Sequence, residues 1–188
     1  MRKLARDLVP HAPNLGLYVA PDIPTGKLEN AIKDYAPDVR IPEVLAMYDG
    51  TLFGSGKDGV LLCKERLVFQ NSDLDRPQEI RYDDIVRVNA RKQFMRGSKV
   101  FLDVNRGRAT TEVKIDFSAR PEAARHVAEF LAEAMLKDVE IGSRAREAAA
   151  EAEPTTDRGA VEDALNRLQE AGKLTRGDKY RMLEALGR

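Results

Sequence analysis

Between Val44 and Phe117 the apolar residues abandon helical spacing and fall into short runs separated by Gly, Asn, Asp or Pro. Such runs predict strands, here Val44–Phe53, Val60–Cys63, Leu67–Phe69, Glu79–Tyr82, Ile85–Ala90, Val100–Val104 and Val113–Phe117. Val100, Leu102 and Val104 share one face, as do Val113, Ile115 and Phe117, while Lys99, Asp103, Lys114 and Asp116 point the other way. Half-buried alternation of this kind implies antiparallel strands with a wet outer face.

Helical periods flank the strand region. Thr25 offers a cap, and Leu28, Ala31, Ile32 and Tyr35 follow on one face before Pro37 stops the pattern. After Pro121, Ala124, Val127, Ala128, Leu131, Ala134 and Met135 oppose Glu122, Arg125, Glu129 and Glu133, so a second amphipathic helix is expected to pack on the sheet. The expected class is α+β, a seven-stranded antiparallel barrel or sandwich closed at one end by that helix and preceded by a short one.

The remaining segments lack this clarity. Residues 1–23 carry Pro10, Pro13 and Pro21 and no apolar period, which predicts an irregular arm laid over the main domain. Residues 24–137 form the main domain, and residues 138–156, rich in Ala, Glu and Arg and ending in Glu153-Pro154-Thr155-Thr156, predict a linker, in part helical. In residues 157–188, Val161, Leu165 and Leu168 mark a helix ending near Gly172. Thr175 with Asp178 caps a second helix that carries Tyr180, Leu183 and Leu186. Two helices of roughly a dozen residues bury too little surface to stand alone, so this hairpin is expected to need a partner.

With 188 residues, 43% of them hydrophobic, the chain can bury one good core and a small satellite. Its 31 basic and 31 acidic residues cancel, so no whole-molecule field draws it to nucleic acid or an anionic membrane. One local bias stands out, because Arg91, Lys92, Arg96, Lys99, Arg106 and Arg108 are opposed over their stretch only by Asp103. These six are candidates for an anionic ligand, a phosphate headgroup or an acidic peptide. The plainer reading, a strand edge kept soluble by charge, carries somewhat more weight. Phe94 and Phe101 alone are too few stacking platforms for nucleic acid, which is not an expected partner.

The single cysteine, Cys63, sits in the apolar run Val60-Leu61-Leu62 and reads as a small buried side chain in a reducing compartment. The first residues lack the apolar core of a signal peptide and no later stretch approaches a membrane span, so a cytoplasmic location is expected.

Motifs for catalysis fail on context. Gly54-Ser55-Gly56-Lys57-Asp58-Gly59 matches a dinucleotide fingerprint, yet strand-like residues follow where a helix must hold the pyrophosphate. A kinase-type glycine loop lacks its catalytic partners, and a P-loop fails on spacing and on Asp58 at the hydroxyl position. A glycine-rich hairpin turn explains the string. The two histidines, His11 and His126, have no nucleophile or ligand set spaced around them, and Asp73 with Asp75 and Asp83 with Asp84 read as turn residues. No catalytic residue, cofactor or metal is expected.

Residues 43–69, from Glu43-Val44-Leu45-Ala46-Met47-Tyr48-Asp49-Gly50-Thr51 through the glycines to Leu67-Val68-Phe69, resemble the opening of bacterial PH-like domains called YokE-like. Glu79-Ile80-Arg81-Tyr82-Asp83-Asp84-Ile85 fits the same pattern, while Cys63 departs from the family's frequent Thr; the resemblance spans about residues 24–137. Leu165, Leu168, Gly172, Leu174, Thr175 and Asp178 are similar to the SHOCT domain, a short bacterial C-terminal module, although Lys179 displaces the usual aromatic to Tyr180. The resemblances imply a PH-like barrel that docks ligands and a hairpin that oligomerises. The expectation is therefore a non-enzymatic binding module, self-associating or joined to a protein partner through Val161, Leu165, Leu168, Leu174, Tyr180, Leu183 and Leu186. Its rivals are a peripheral reader of anionic lipid and an unrecognised hydrolase using His11 or His126.

Overall fold

The computed structural model describes residues 1–93 and 97–151, and of residues 92, 93 and 138–151 the backbone alone. Internal contacts divide the chain into Met1–Ser143 and Arg144–Arg188; the fold below is that of the first unit. Its elements are α1 (Arg2–Leu8), β1 (Leu17–Val19), α2 (Thr25–Asp34), β2 (Val44–Asp49), β3 (Gly59–Cys63), β4 (Arg66–Gln70), β5 (Gln78–Arg81), β6 (Ile85–Gln93), β7 (Gly97–Asn105), β8 (Thr110–Asp116) and α3 (Ala123–Glu151).

The class is α+β, with every strand pairing antiparallel, but the described strands number eight and close no barrel. They form a five-stranded sheet, β1-β2-β3-β4-β5, and a three-stranded sheet, β6-β7-β8. The break lies between β5 and β6, where Tyr82–Asp84 form a single 3₁₀ turn. Tyr82 turns into the core there, its hydroxyl donating to the Cys63 carbonyl at 2.8 Å and its ring set edge-on to Phe130 of α3 at 5.9 Å. The corner residue is thus anchored by the helix, and the sheets share a core instead of a hydrogen-bonded ladder.

That core takes Leu45, Val60, Leu62, Leu67 and Phe69 from the first sheet, Val100, Leu102, Val104, Ile115 and Phe117 from the second, and Val127, Phe130, Leu131 and Ala134 from α3. The opposite face of the first sheet presents Met47, Leu61, Cys63 and Val68, and α2 covers it with Leu28 and Ala31, joined by Tyr35 just after the helix. Period-two alternation therefore still holds in β3 and β4, but it sorts apolar residues into two clusters instead of inside and outside.

Four sequence expectations change. The N-terminal arm is not irregular but built of short regular elements: Leu4, Ala5 and Val9 enter the main core, and β1 adds an edge strand in register with β2, Leu17 opposite Tyr48. Its apolar residues showed no period because the segment is divided among a seven-residue helix, a 3₁₀ turn and a three-residue strand. Thr25 does not cap α2; it is the first helical residue, and the Pro24 carbonyl closes the turn by accepting from the amides of Lys27 and Leu28. The predicted first strand ends at Asp49, not Phe53, so Leu52 and Phe53 belong to a loop. Residues 138–151, expected to begin a linker, continue α3, consistent with their helix-forming Ala, Glu and Arg. The predicted hairpin of residues 157–188, with Val161, Leu165, Leu168, Leu174, Tyr180, Leu183 and Leu186, lies outside the described residues. Among the described residues no helix is long and apolar enough to cross a membrane.

Candidate docking surface

The loop between β2 and β3 is built around a buried carboxylate. Asp49, the last residue of β2, is 1% exposed, and Lys27 of α2 meets it with Nζ 2.6 Å from Oδ2. On the other carboxylate oxygen, Thr51 donates its hydroxyl at 2.5 Å and its amide at 3.0 Å, and the Gly56 amide approaches to 3.3 Å. Burial pushes the Asp49 carboxyl up, but the hydrogen bonds from Lys27 and Thr51 outweigh it and leave its pKa below the ordinary value. The group stays ionised and organises the loop.

The same residues hold the rest of the loop. Lys27 Nζ also donates to the Gly54 carbonyl, Asn30 Nδ2 donates to the Ser55 carbonyl at 2.8 Å, and the Thr51 hydroxyl accepts from the Ser55 amide at 2.7 Å. From the far side Arg120, just after β8, donates to the carbonyls of Asp49 at 2.7 Å and Thr51 at 3.2 Å. Gly56 is needed here, because at φ +76° a Cβ would stand 2.6 Å from the Lys27 carbonyl oxygen. The glycine-rich string is a hairpin connection, as its context predicts.

A loop braced from α2, β2 and the β8–α3 connection nevertheless sends two large apolar side chains outward. Leu52 is 80% and Phe53 98% exposed. The β4–β5 loop leaves from the same end of the sheet, since Gly59 pairs with Gln70, and it carries Leu74, 97% exposed. Gln70 Nε2 donates to Asp58 Oδ1 at 3.3 Å, joining the bases of the two loops. Asn71 ties the second loop to β8, donating to the Lys114 carbonyl at 2.9 Å and accepting from the Asp116 amide at 2.8 Å. Three large apolar side chains thus stand exposed on held loops at one end of the sheet, and covering them would remove apolar area from water at about 25 cal/mol per Å².

The six basic candidates do not gather. Arg91 and Lys99 are cross-strand partners near the β6–β7 connection, and Lys92 pairs with Ser98. Arg106 and Arg108 lie beyond the other end of β7, in the turn to β8, a nine-residue strand or about 25 Å away. Arg91 lies over the Phe101 ring at 5.0 Å, and Lys99 is paired with Asp116 at 3.4 Å. Arg96 lies outside the described residues. One small anion therefore cannot span the described members of this set.

The other candidates stand as follows. Cys63 is buried, and burial pushes its thiol up to about 12. His11 is exposed, edge-on to Tyr18 at 5.9 Å, and His126 is half-buried on α3. Asp75 belongs to a turn in which its amide donates to the Ser72 carbonyl at 2.9 Å, and Asp83 accepts from Arg81 at 3.0 Å. Among the described residues no group of three or more His, Cys, Asp or Glu side chains is placed to hold a metal ion.

The residues that sequence reasoning missed are Lys27, Asp49, Thr51 and Arg120, which brace the loop, and Leu52, Phe53 and Leu74, which it and its neighbour present. Asp49-Gly50-Thr51 is itself a turn signal and would have ended the strand. Nothing in the sequence pairs Lys27 with Asp49 or Arg120 with the loop. No protein-family model matches this chain, and neither a curated protein nor a solved structure matches it.

Proposed function

We propose that the chain is a non-enzymatic docking module that engages a protein partner through the loop end bearing Leu52, Phe53 and Leu74 and multiplies that contact by self-association. The observation that carries this reading is the contrast between the buried Asp49–Lys27 brace and the near-complete exposure of Phe53 on the loop it holds. A loop that merely connects two strands needs no buried ion pair. A loop that presents an apolar anchor in one pose gains affinity from being preorganised.

The α+β class, with two antiparallel sheets followed by a packed helix, agrees with the class that the PH-like resemblance implies, although the described strands do not close the barrel it implies. The assembly half rests on the C-terminal apolar stripe from Val161 to Leu186, read from sequence. Clustering several copies raises the apparent affinity of each loop end by avidity.

A photo-crosslinking amino acid at position 53 of the full-length chain, in cells that make it, tests the docking half. A discrete protein adduct, absent when the probe stands at Glu79, is expected. Adducts to lipid alone, or none, overturn docking on protein, and lipid adducts turn the reading toward a membrane surface. Light scattering of the full chain and of a version ending before Asp157 tests the assembly half. An oligomer that becomes a monomer on truncation is expected, and two monomers refute it.

A further inference from the structure

Away from the loop end, α1, the cis Ala20-Pro21 turn and the start of β2 line an open pocket of about 480 Å³. Ile23, Leu28, Ile41, Val44 and Leu45 supply its apolar walls, and among the described residues Arg2 and Arg6 of α1 are the only charged side chains that line it. The two arginines stand four residues apart, one helical turn, and so share a face of α1. Arg2 is oriented by donating from Nη2 to the Pro42 carbonyl at 3.3 Å, and among the described residues neither guanidinium has an ion-pair partner. Two acids flank lining residues in sequence: Glu43 is taken by Arg40 and Arg66, and Asp22, exposed between Pro21 and Ile23, is not part of the lining.

We infer that this pocket binds an amphipathic monoanion, a straight-chain alkyl carboxylate, with the chain against Ile23, Leu28, Val44 and Leu45 and the carboxylate on Arg2 and Arg6. The volume falls within the range of about 300–1,000 Å³ usual for small-molecule sites. Charge decides the class. A neutral apolar ligand leaves two guanidiniums without use, a cation is repelled by them, and a compact phosphate gains nothing from the apolar walls. A carboxylate matches the guanidinium fork and trails the chain the walls require. This site is independent of the docking loop.

Calorimetric titration of the full-length chain with octanoate, decanoate and dodecanoate, each below its micelle concentration, tests the inference. One site per chain is expected, with affinity rising about fourfold per added methylene until the pocket is filled. Decanol should bind more weakly than decanoate, and decyltrimethylammonium more weakly again. Replacing both arginines, Arg2→Gln with Arg6→Gln, should weaken decanoate about fivefold at low salt and leave decanol unchanged. Ile41→Asp should weaken both, and because Ile41 is 53% exposed the fold survives the change, which circular dichroism verifies. Absence of saturable binding, equal affinity for decanol and decanoate, or an arginine pair whose removal changes nothing overturns the assignment.

Discussion

The two sheets solve the same burial problem differently. In β2 every residue from Val44 to Asp49 is buried, and in β3 every residue from Gly59 to Cys63, because α2 covers one face and the shared core the other. In β7 buried and half-buried residues alternate from Gly97 to Val104, and the outer face holds ion pairs such as Arg87 with Asp103 and Lys99 with Asp116. A sheet dry on both faces has nowhere to place a charge without a partner. Asp49, at the end of β2, accordingly carries the buried ion pair that organises the loop beyond it, whereas the carboxylates of the second sheet's pairs keep 30% exposure, so water screens those pairs and each is worth less.

The largest break in this comparison should come from the covered face of the first sheet. Leu61→Ala removes a fully buried side chain between β3 and α2 and should cost about 3 kcal/mol, while Glu112→Ala on the wet face of β8 should stay within about 0.5 kcal/mol. Urea midpoints at neutral pH measure both. Similar losses at the two positions would mean that α2 is not a stable cover.

Next comes the buried pair. Lys27→Met leaves the Asp49 carboxylate uncompensated and should cost about 2 kcal/mol, less than a fully buried pair because the Lys27 side chain keeps 20% exposure. The pH dependence has a definite sign. The Asp49 carboxyl titrates below its ordinary value of 3.8 when folded, so its stabilisation is complete above that range. It declines as pH falls below the unfolded value and is gone beneath the folded one. Denaturation between pH 6 and pH 2 should therefore show wild type losing more stability than Asp49→Asn; a constant difference across that range would contradict the assignment.

A smaller contrast separates the two hairpin loops. Gly56→Ala and Gly107→Ala both place a Cβ at positive φ, but only the first drives it against backbone, 2.6 Å from the Lys27 carbonyl, whereas nothing lies within 4 Å of the second. Losses of about 2 and about 1 kcal/mol are expected in thermal melts. The smallest effect belongs to the loop tip, where Phe53→Ser should change stability by less than about 0.5 kcal/mol, since the ring is already 98% exposed. A large loss there would show that Phe53 is covered in the folded protein.

The positions of β2 to β8, both amphipathic helices and the burial of Cys63 were legible because each is recorded in local spacing, whereas the three-residue β1 was not. The continuous run Val60-Leu61-Leu62-Cys63 and the alternation of Val100, Leu102 and Val104 also distinguish a sheet buried on both faces from one with a wet face. Reading Leu52 and Phe53 as strand was the error this pattern invites, since apolar residues beside a strand extend its run. Exposure, not identity, separates them from Met47 and Tyr48.

The sequence by itself determined the α+β class, the antiparallel strands and the turn at the glycines, because periodicity and φ preference act between near neighbours. Only the tertiary structure decided that the strands divide into two sheets at Tyr82, that the first residues join the core, and that Lys27 and Arg120 meet the loop after Asp49. Those contacts join residues 22 to 71 positions apart. Burial makes the Asp49 charge need a partner, but which cation arrives is set by how α2 and the β8–α3 connection pack, and no local pattern of side chains encodes that choice.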